Sequence, residues 1–580
     1  MNSKPLALIT GFGGINSAGR SSSHLSYKNL IFGSLNEKEQ LEVLQDLAVL
    51  QGKIEPTGRA WETISGDSID LKRYLLENET QIRRDSMVRK LDADTYDKDG
   101  IILNQIKASA AGQLPSGFDP SSLYPARQHP KALQLTVFGM GDALGQLGIS
   151  WKTIMNKIAP DEVAVFSGAA IGQLDSYGFG GLMQSRIKGS RASSKNLALG
   201  LVEMSADFIN AYILGSVGRT GHSVGACATF LYNLQMGKEA IESGSARVVV
   251  VGGAEAPITP EIVDGFYAMS ALSDDKRMIE LQAQNNEDIS QGPIQEKACR
   301  PFGNNVGMVL GESAQFVILM EDSLALDIGA EVYGTVASVS SHSDGFKSSI
   351  SGPGIGNYIT VAKCVSDAEK ILGLKKLRNN TFVHAHGTGT PANRTTESHI
   401  LNEVAATYGI KSWPVAGIKS FLGHSMAPAS GDQLVTALGT WNKGIIPGIH
   451  STETVADDVF DENLEILLEN KVEDDNFYSA AFLNAKGFGG NNASATILSP
   501  LESKSLLIQR YSKNKMASYE SKADETRQKS SQHNKQSLKG NYNVVYKFNE
   551  NVLHGETDVK IERGKIKLKN FKNPIKLKGK

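Results

Sequence analysis

Short apolar runs recur along the chain: Leu6–Ile9, Val163–Phe166, Val248–Val251, Phe382–Ala385 and Ala480–Leu483. Apolar runs of this length, bounded by glycine, predict strands buried on both faces, and the helical patterns between them make the class α/β. Gly11 closes the first run, and Gly11-Phe12-Gly13-Gly14-Ile15-Asn16 reads as a turn. It falls short of a dinucleotide fingerprint because Asn16 stands where the last glycine belongs. After Cys227 the pattern becomes helical, with Leu231, Leu234 and Ile241 on one face and Lys238, Glu239 and Glu242 on the other. Residues 392–407 and 427–442 predict two more helices, each opening shortly after a histidine.

Two regions depart from this rhythm. Residues 30–125 are rich in Glu, Lys, Asp and Gln and carry few strand signals, so they read as a helical and loop insertion. Residues 502–540 are polar and lysine-rich, a helix or loose linker. From Tyr542 to Leu577 alternation returns (Val544, Tyr546, Phe548, then Val559, Ile561, Ile566, Leu568), which predicts a small β-rich appendage.

Composition changes the picture little, and charge changes it more. The net charge of −2 over 580 residues hides an asymmetry. Residues 501–580 hold 19 Lys+Arg against 8 Asp+Glu, which leaves the first 500 residues acidic. A basic tail reads first as solvated surface, and neither a nucleic-acid partner nor membrane insertion is expected. The three cysteines, Cys227, Cys299 and Cys364, form no CxxC pair, which fits a reducing compartment and individual thiols. The N-terminus lacks a signal-peptide pattern and no apolar stretch approaches ~20 residues, so a soluble, cytoplasmic protein is expected.

The candidate chemistry lies in four segments: Val224-Gly-Ala-Cys227-Ala-Thr229, His384-Ala-His386-Gly-Thr388-Gly-Thr390, Lys419-Ser-Phe-Leu-Gly-His424, and Asn484-Ala-Lys-Gly487-Phe488-Gly489-Gly490-Asn-Asn492. Cys227 opens a helix, where the dipole favours a thiolate and lowers the thiol pKa. His386 and His424 each stand where a strand-like run meets glycine, and two neutral imidazoles there can stabilise an enolate oxygen. Lys419 beside them would keep both rings neutral. Gly487, Gly489 and Gly490 let backbone N–H groups approach a substrate closely. Other readings compete. His384, His386 and His424 could share a metal, but no cysteine or carboxylate nearby completes the set, so no metal is expected and His384 reads as a satisfied buried histidine. Gly221-His-Ser223-Val-Gly225 matches the nucleophile elbow of serine acyltransferases and hydrolases, with Asp344 and His424 as possible partners, but it leaves Cys227 and the glycine loop unexplained.

In order and in kind these four segments resemble the active-site set of the β-ketoacyl-ACP synthases. The resemblance spans about residues 126–500, with 6–19 in front. It implies a thiolase-like five-layered α-β-α-β-α sandwich of two similar halves: 1–325 with the insertion at about 30–125, and 326–500. A basic linker and β-rich extension at 501–580 follow. It implies decarboxylative Claisen condensation with malonyl-ACP in fatty-acid biosynthesis, and usually a homodimer. Cys227 would be the acylated nucleophile, His386 and His424 the decarboxylation pair, and Lys419 their support. The N–H groups of Cys227 and Phe488 would form the oxyanion hole, with Phe488 as gate. Thr388 and Thr390 would hold the pantetheine arm, and Glu312 would be an acidic residue near the lysine. No tightly bound cofactor is implied, since substrates ride on the phosphopantetheine of acyl carrier protein or coenzyme A. A non-catalytic partner subunit of this family would lack the cysteine.

The departures from the family pattern are Lys486 in place of an aromatic residue, Arg394 in place of an acid (although Glu397 fits), Asn305-Val-Gly307, and Ser-Met-Ala-Pro-Ala-Ser after His424. With the insertion and tail they resemble the FabY-type acetoacetyl-ACP synthases, which start from acetyl-CoA; an elongating enzyme using longer acyl-ACP is the alternative. Phe230, one turn along from Cys227, would shorten the acyl pocket, and Lys276 and Arg277, in the loop after Ala271-Leu272-Ser273, would dock the acidic carrier protein.

Overall fold

The computed structural model describes residues 4–92, 107–350 and 352–577. The five apolar runs are all strands, and they belong to one mixed sheet of 12 strands among the described residues. From one edge the order is Arg219–Gly221, Val163–Ser167, Val248–Glu255, Ser313–Glu321 and Ala7–Asn16. It continues through Gly334–Ser343, Asn491–Leu498, Ala480–Gly487, Thr381–His384, Trp413–Ala416 and Leu464–Ile466, and the twelfth strand, Gly19–Arg20, pairs with the end of Ala7–Asn16 off this path. Numbered by chain order within each set, the five strands before residue 325 read third, second, fourth, fifth, first. Read inward from the opposite edge, the strands from 334 onward repeat that order, with Leu464–Ile466 added outside them. The sets meet where Leu8 and Ile9 pair with Thr335 and Gly334.

Helices Thr229–Glu242 and Ala429–Lys443 occupy equivalent places in the two sets, touch each other and pack against strands of both. Leu231, Leu234 and Ile241 are wholly buried there, as the helical spacing predicts. Lys131–Leu147 covers the outer face of the first set, and Gly356–Asn379 with Pro391–Tyr408 covers the second. The result is the five-layered α-β-α-β-α sandwich. One consequence positions the chemistry: Cys227 and His424 precede equivalent central helices, so the repeat brings both to the same end of the middle layer.

Three expectations change. The first strand does not stop at Gly11 but runs to Asn16 across a bulge between Ile9 and Gly11. Gly13 is needed for packing, because a Cβ there would sit 2.3 Å from the Ala143 nitrogen of the covering helix. The 30–125 segment has the expected helices (Glu37–Leu50, Leu71–Glu77, Glu79–Arg84) but also two small sheets. One joins Ile54–Thr57, Ala60–Thr63 and Ser68–Ile69, and the other joins Val88–Lys90, Ala110–Gly112 and Leu310–Gly311. Ile54 is the one fully buried position in the first of these, too little apolar signal to reveal a strand. The part of that segment at 93–106 lies outside the described residues.

At the other end, residues 500–537 are two helices, Pro500–Arg510 and Lys513–Ser537, the second buried along Met516, Tyr519 and Ala523. The alternation at Val544–Phe548 makes no strand. Tyr546 instead packs against Tyr124, His129 and Tyr212 in an extended segment. The β-rich portion is confined to Val559–Glu562, Lys565–Leu568 and Ile575–Lys576.

Candidate active site

Cys227 sits in a single tight turn, Ala226–Ala228, just before helix Thr229–Glu242. The turn holds Ala226 in the left-handed region (φ 51°), a strained conformation for a residue with a side chain. The glycine loop presses on it: a Cβ on Gly487 would lie 2.2 Å from the Gly225 carbonyl oxygen and 3.2 Å from the Cys227 nitrogen. Gly489 and Gly490 follow with φ of 83° and 91°, a reversal that suits glycine. Cys227 is 4% exposed. Burial pushes its thiol up to about 12, Lys419 pulls it back, Glu255 opposes that, and hydrogen bonds from the backbone N–H groups of Cys227 and Phe488 favour the thiolate. The expected lowering by the helix terminus is therefore outweighed by desolvation, and the resting group is a thiol.

The two histidines meet it in a cavity of about 140 Å³ that Cys227, His386, His424, Lys486 and Phe488 all line. The rings of His386 and His424 stand 5.3 Å apart at 84°. His424 is pinned by its backbone, donating to Val309 O (2.6 Å) and accepting from Gly311 N (2.9 Å). Its Nδ1 accepts the Met426 N–H at 3.2 Å, so the ring proton lies on Nε2. That Nε2 is buried and, among the described residues, has no hydrogen-bond partner. A buried donor held without a partner beside a nucleophile suits a substrate oxygen.

His386 is held from behind. Its N–H donates to Glu397 Oε1 (2.6 Å), and its carbonyl accepts from Lys419 Nζ. Burial and then Lys419 push both imidazoles well below the ordinary histidine range, so both are neutral. Burial likewise lowers Lys419, with Glu397 and Cys227 resisting. Glu397 is wholly buried and also accepts from Gly387 N (2.9 Å), Asn393 Nδ2 (2.8 Å) and Asn484 Nδ2 (2.7 Å). It ties the first histidine motif to the helix behind it and to the strand that ends in the glycine loop. Its spacing, eleven residues after His386, was the available signal.

Thr388 and Thr390 line the same cavity and share a hydrogen bond of 3.0 Å. Lys486 lines it too, donating to Thr396 Oγ1 at 2.8 Å. The Phe488 ring lies 5.8 Å from Phe266 in an apolar cluster that includes Cys227 and Met308. Asp344 and Lys347, which the sequence did not single out as a pair, join the cavity wall from the loop after strand Gly334–Ser343.

Other assignments need correction. Phe230 is 0% exposed in the core between the central helices and does not line the cavity; its ring lies against Gly431. Glu312 does not line the cavity: it pairs with Lys131 at 2.6 Å and accepts Leu114 N. Lys276 and Arg277 stand in the first turn of helix Asp275–Gln284, not in a loop. Arg277 is engaged with Asp274 and the Leu272 carbonyl, and Lys276 is exposed.

His384 is buried, but among the described residues neither ring nitrogen has a partner, and burial holds it down to about 3. Ser223 lines a separate surface pocket with Tyr232 and His342, apart from His424, so no serine triad forms. Among the described residues no group of three or more His, Cys, Asp or Glu side chains is placed to hold a metal ion, and no single helix is long and apolar enough to cross a membrane.

Comparison with known proteins bears on this geometry. A family model described as Beta-ketoacyl synthase, N-terminal domain, matches residues 64–325, and the corresponding C-terminal domain model matches 333–453. The chain is 40% identical to the beta-ketoacyl-(acyl-carrier-protein) synthase FabY of Pseudomonas aeruginosa, over 98% of each chain. Against the crystal structure of FabY from P. aeruginosa the TM-score is 0.95 at 39% identity, covering 100% of this chain and 98% of that one. A 3-oxoacyl-(acyl-carrier-protein) synthase 2 of Staphylococcus aureus is 28% identical over 58% of this chain and 77% of its own.

Proposed function

The chain belongs to the β-ketoacyl synthase family, an acyltransferase that forms carbon–carbon bonds, and we propose that it initiates fatty-acid synthesis by joining an acetyl group on Cys227 to malonyl-ACP. The observation that carries the condensation is the partnerless Nε2–H of His424 beside His386 and Cys227 in one cavity.

The Cys227 sulfur attacks the acetyl-CoA carbonyl, and the oxyanion is met by the N–H groups of Cys227 and Phe488. The bond to the CoA sulfur breaks, and that sulfur leaves with the proton from Cys227. Malonyl-ACP then enters with its thioester oxygen against the neutral rings of His386 and His424. Its C–CO2 bond breaks, the electron pair moves into the enolate those rings stabilise, and CO2 departs. The enolate carbon attacks the acetyl carbonyl, the Cys227 thiolate is expelled and takes a proton from water, and acetoacetyl-ACP leaves.

Lys419 acts through the rings, keeping them neutral donors. Thr388 and Thr390 hold the pantetheine arm of acyl carrier protein or coenzyme A, and exposed Lys276 is a docking candidate for the carrier protein. The enzyme works as a cytoplasmic homodimer without a resident cofactor. Its ketosynthase halves are residues 1–325 and 326–500, with 501–580 as an extension.

Three features support a short primer. The cavity is small, Met308 and Phe488 line it with Cys227, and an ammonium at Lys486 makes a long apolar chain costly to seat. The test is competition between acetyl-CoA and octanoyl- or palmitoyl-ACP with malonyl-ACP as extender, read as relative kcat/KM. Preference for acetyl-CoA is expected; preference for long acyl-ACP would make this an elongating ketosynthase.

A further inference from the structure

Lys486 raises a question that the condensation chemistry does not answer. It is the second-to-last residue of strand Ala480–Gly487, two positions before Phe488, and it faces the cavity that holds Cys227 and both catalytic histidines. An ammonium has three N–H donors. Among the described residues the Lys486 group makes one hydrogen bond, 2.8 Å to Thr396 Oγ1, and no ion pair.

The two carboxylates close enough to act on it are already engaged. Glu397 accepts four donors, from His386, Gly387, Asn393 and Asn484. Asp344 accepts Gly356 N (3.0 Å) and Asn492 Nδ2 (2.7 Å), while its other oxygen faces Lys347 at 3.4 Å. Lys347, the other lysine in the wall, is committed to Asp344 and to the carbonyls of Ile350 and Gly352. Lys486 is thus a half-buried amine facing the cavity, with donors to spare and, among the described residues, no ion-pair partner. Left so, it is costly, and an anionic ligand would offset that cost.

Of the groups that react here, the acetyl and both thioester carbonyls are neutral. The malonyl carboxylate is the one charged group. We propose that Lys486, with Thr396, is the receptor for the free carboxylate of the malonyl thioester and sets the requirement for a carboxylated extender. The inference rests on the condensation reading. Lys486 and Thr396 line the same cavity as His386 and His424, so a malonyl group with its thioester oxygen on the histidines can set its carboxylate against the lysine. The interaction belongs to the bound substrate, because the negative charge leaves with CO2. Lys486 is therefore a specificity residue acting on binding.

The test uses the full chain with Lys486→Met and Lys486→Arg. The KM for malonyl-ACP should rise ~10- to 100-fold in Lys486→Met with kcat not reduced, as loss of one charge-assisted contact to the ground state requires. Lys486→Arg should recover most of it. A second readout is inhibition by malonyl-aminopantetheine against acetyl-aminopantetheine, amides that carry or lack the carboxylate. The wild type should favour the carboxylated amide by a similar factor, and Lys486→Met should bind both alike. Acetylation of Cys227 by acetyl-CoA, read by intact mass, is the control. An unchanged malonyl-ACP KM and undiminished discrimination, with acetylation intact, would overturn the proposal, and so would kcat, KM and acetylation failing together. A wild-type enzyme that never acetylates Cys227 would instead sink the condensation reading itself.

Discussion

The backbone N–H of Met426 donates to Nδ1 of His424 across 3.2 Å, and this contact fixes which nitrogen carries the ring proton. With Nε2–H free in the cavity beside His386, the pair is built to receive an oxygen and not to hold a proton reservoir. Replacing His424 by Ala should therefore lower malonyl-ACP decarboxylation ~10²- to 10³-fold, the usual effect of one oxyanion donor. Replacing Cys227 by Ala should abolish condensation but leave decarboxylation, because the histidines act on malonyl without the acyl group. Release of labelled CO2 by both variants, measured with and without acetyl-CoA, separates the roles. Full condensation by Cys227→Ala would refute the assignment.

Gly487 offers a steric test of the nucleophile turn. A methyl group there would stand 2.2 Å from the Gly225 oxygen, so either the glycine loop or the turn carrying Cys227 must move. Gly487→Ala should slow acetylation of Cys227 at least ~10²-fold, since misplacement by about 1 Å costs that much. The overall melting temperature should shift by only a few degrees, because the loop lies at the cavity rim. Intact-mass kinetics with a thermal melt check both. Normal acetylation in a folded variant would show that the close approach of Gly487 to Gly225 does not set the position of Cys227.

The apolar strands and the face Leu231, Leu234, Ile241 were legible because full burial leaves an unbroken local pattern. Cys227, His386, His424 and Lys419 were legible because each sits in a short motif of fixed spacing, and the structure does bring them into one place. Phe230 and Glu312 were misread because sequence distance from Cys227 or a match to an acidic position says nothing about side-chain direction. Phe230 points into the inter-helix core, and Glu312 finds Lys131, 181 residues earlier. The thiol of Cys227 was misjudged for another reason: the helix terminus is local and visible in sequence, while the desolvation that outweighs it comes from residues scattered from Leu91 to Phe488. The three-stranded sheet at 54–69 carried too few buried positions to show itself.

Burial of neutral histidines sets the acid limit of the fold. His24, His384, His386 and His424 are all buried, and burial drives each below its ordinary range, His24 and His384 to about 3. For a histidine lowered in the folded state, the unfolded chain binds the extra proton, so stability is full above ~6.5 and falls as pH drops from there toward the folded value. Glu255, raised by burial to about 7, works the other way between roughly 4.5 and 7, and offsets only part of it. Urea unfolding should show stability declining from pH 7 to pH 5. His384→Phe should flatten that slope by about 1.4 kcal/mol per pH unit, one proton's worth. Equal slopes in the two proteins would mean His384 is not held neutral.

Arg20 ties the extension beyond residue 500 to the first half of the sheet. It is wholly buried, donates from Nε to Asp46 at 3.0 Å and from Nη1 to Asp142 at 3.2 Å, and reaches Asn534 Oδ1 from Nη2 at 2.8 Å. His533, on the same helix as Asn534, meets Asp142 at 3.3 Å. Burial works against the charge on Asp142, yet Arg20 and His533 hold its carboxyl down to about 2. Removing the guanidinium would leave two buried carboxylates facing each other. Arg20→Met should therefore cost ~3–5 kcal/mol, the usual result of breaking one side of a buried ion pair. Asn534→Ala removes a single hydrogen bond and should cost ~1 kcal/mol, loosening helix Lys513–Ser537 without unfolding the sheet. Urea titration gives the two stabilities, and hydrogen exchange along 513–537 shows where each acts. Fast exchange confined to that helix in Asn534→Ala, but spread through the strand Ala7–Asn16 in Arg20→Met, is the expected pattern. If Arg20→Met loosened the helix alone, the network would be a clasp for the extension and not a support of the sheet.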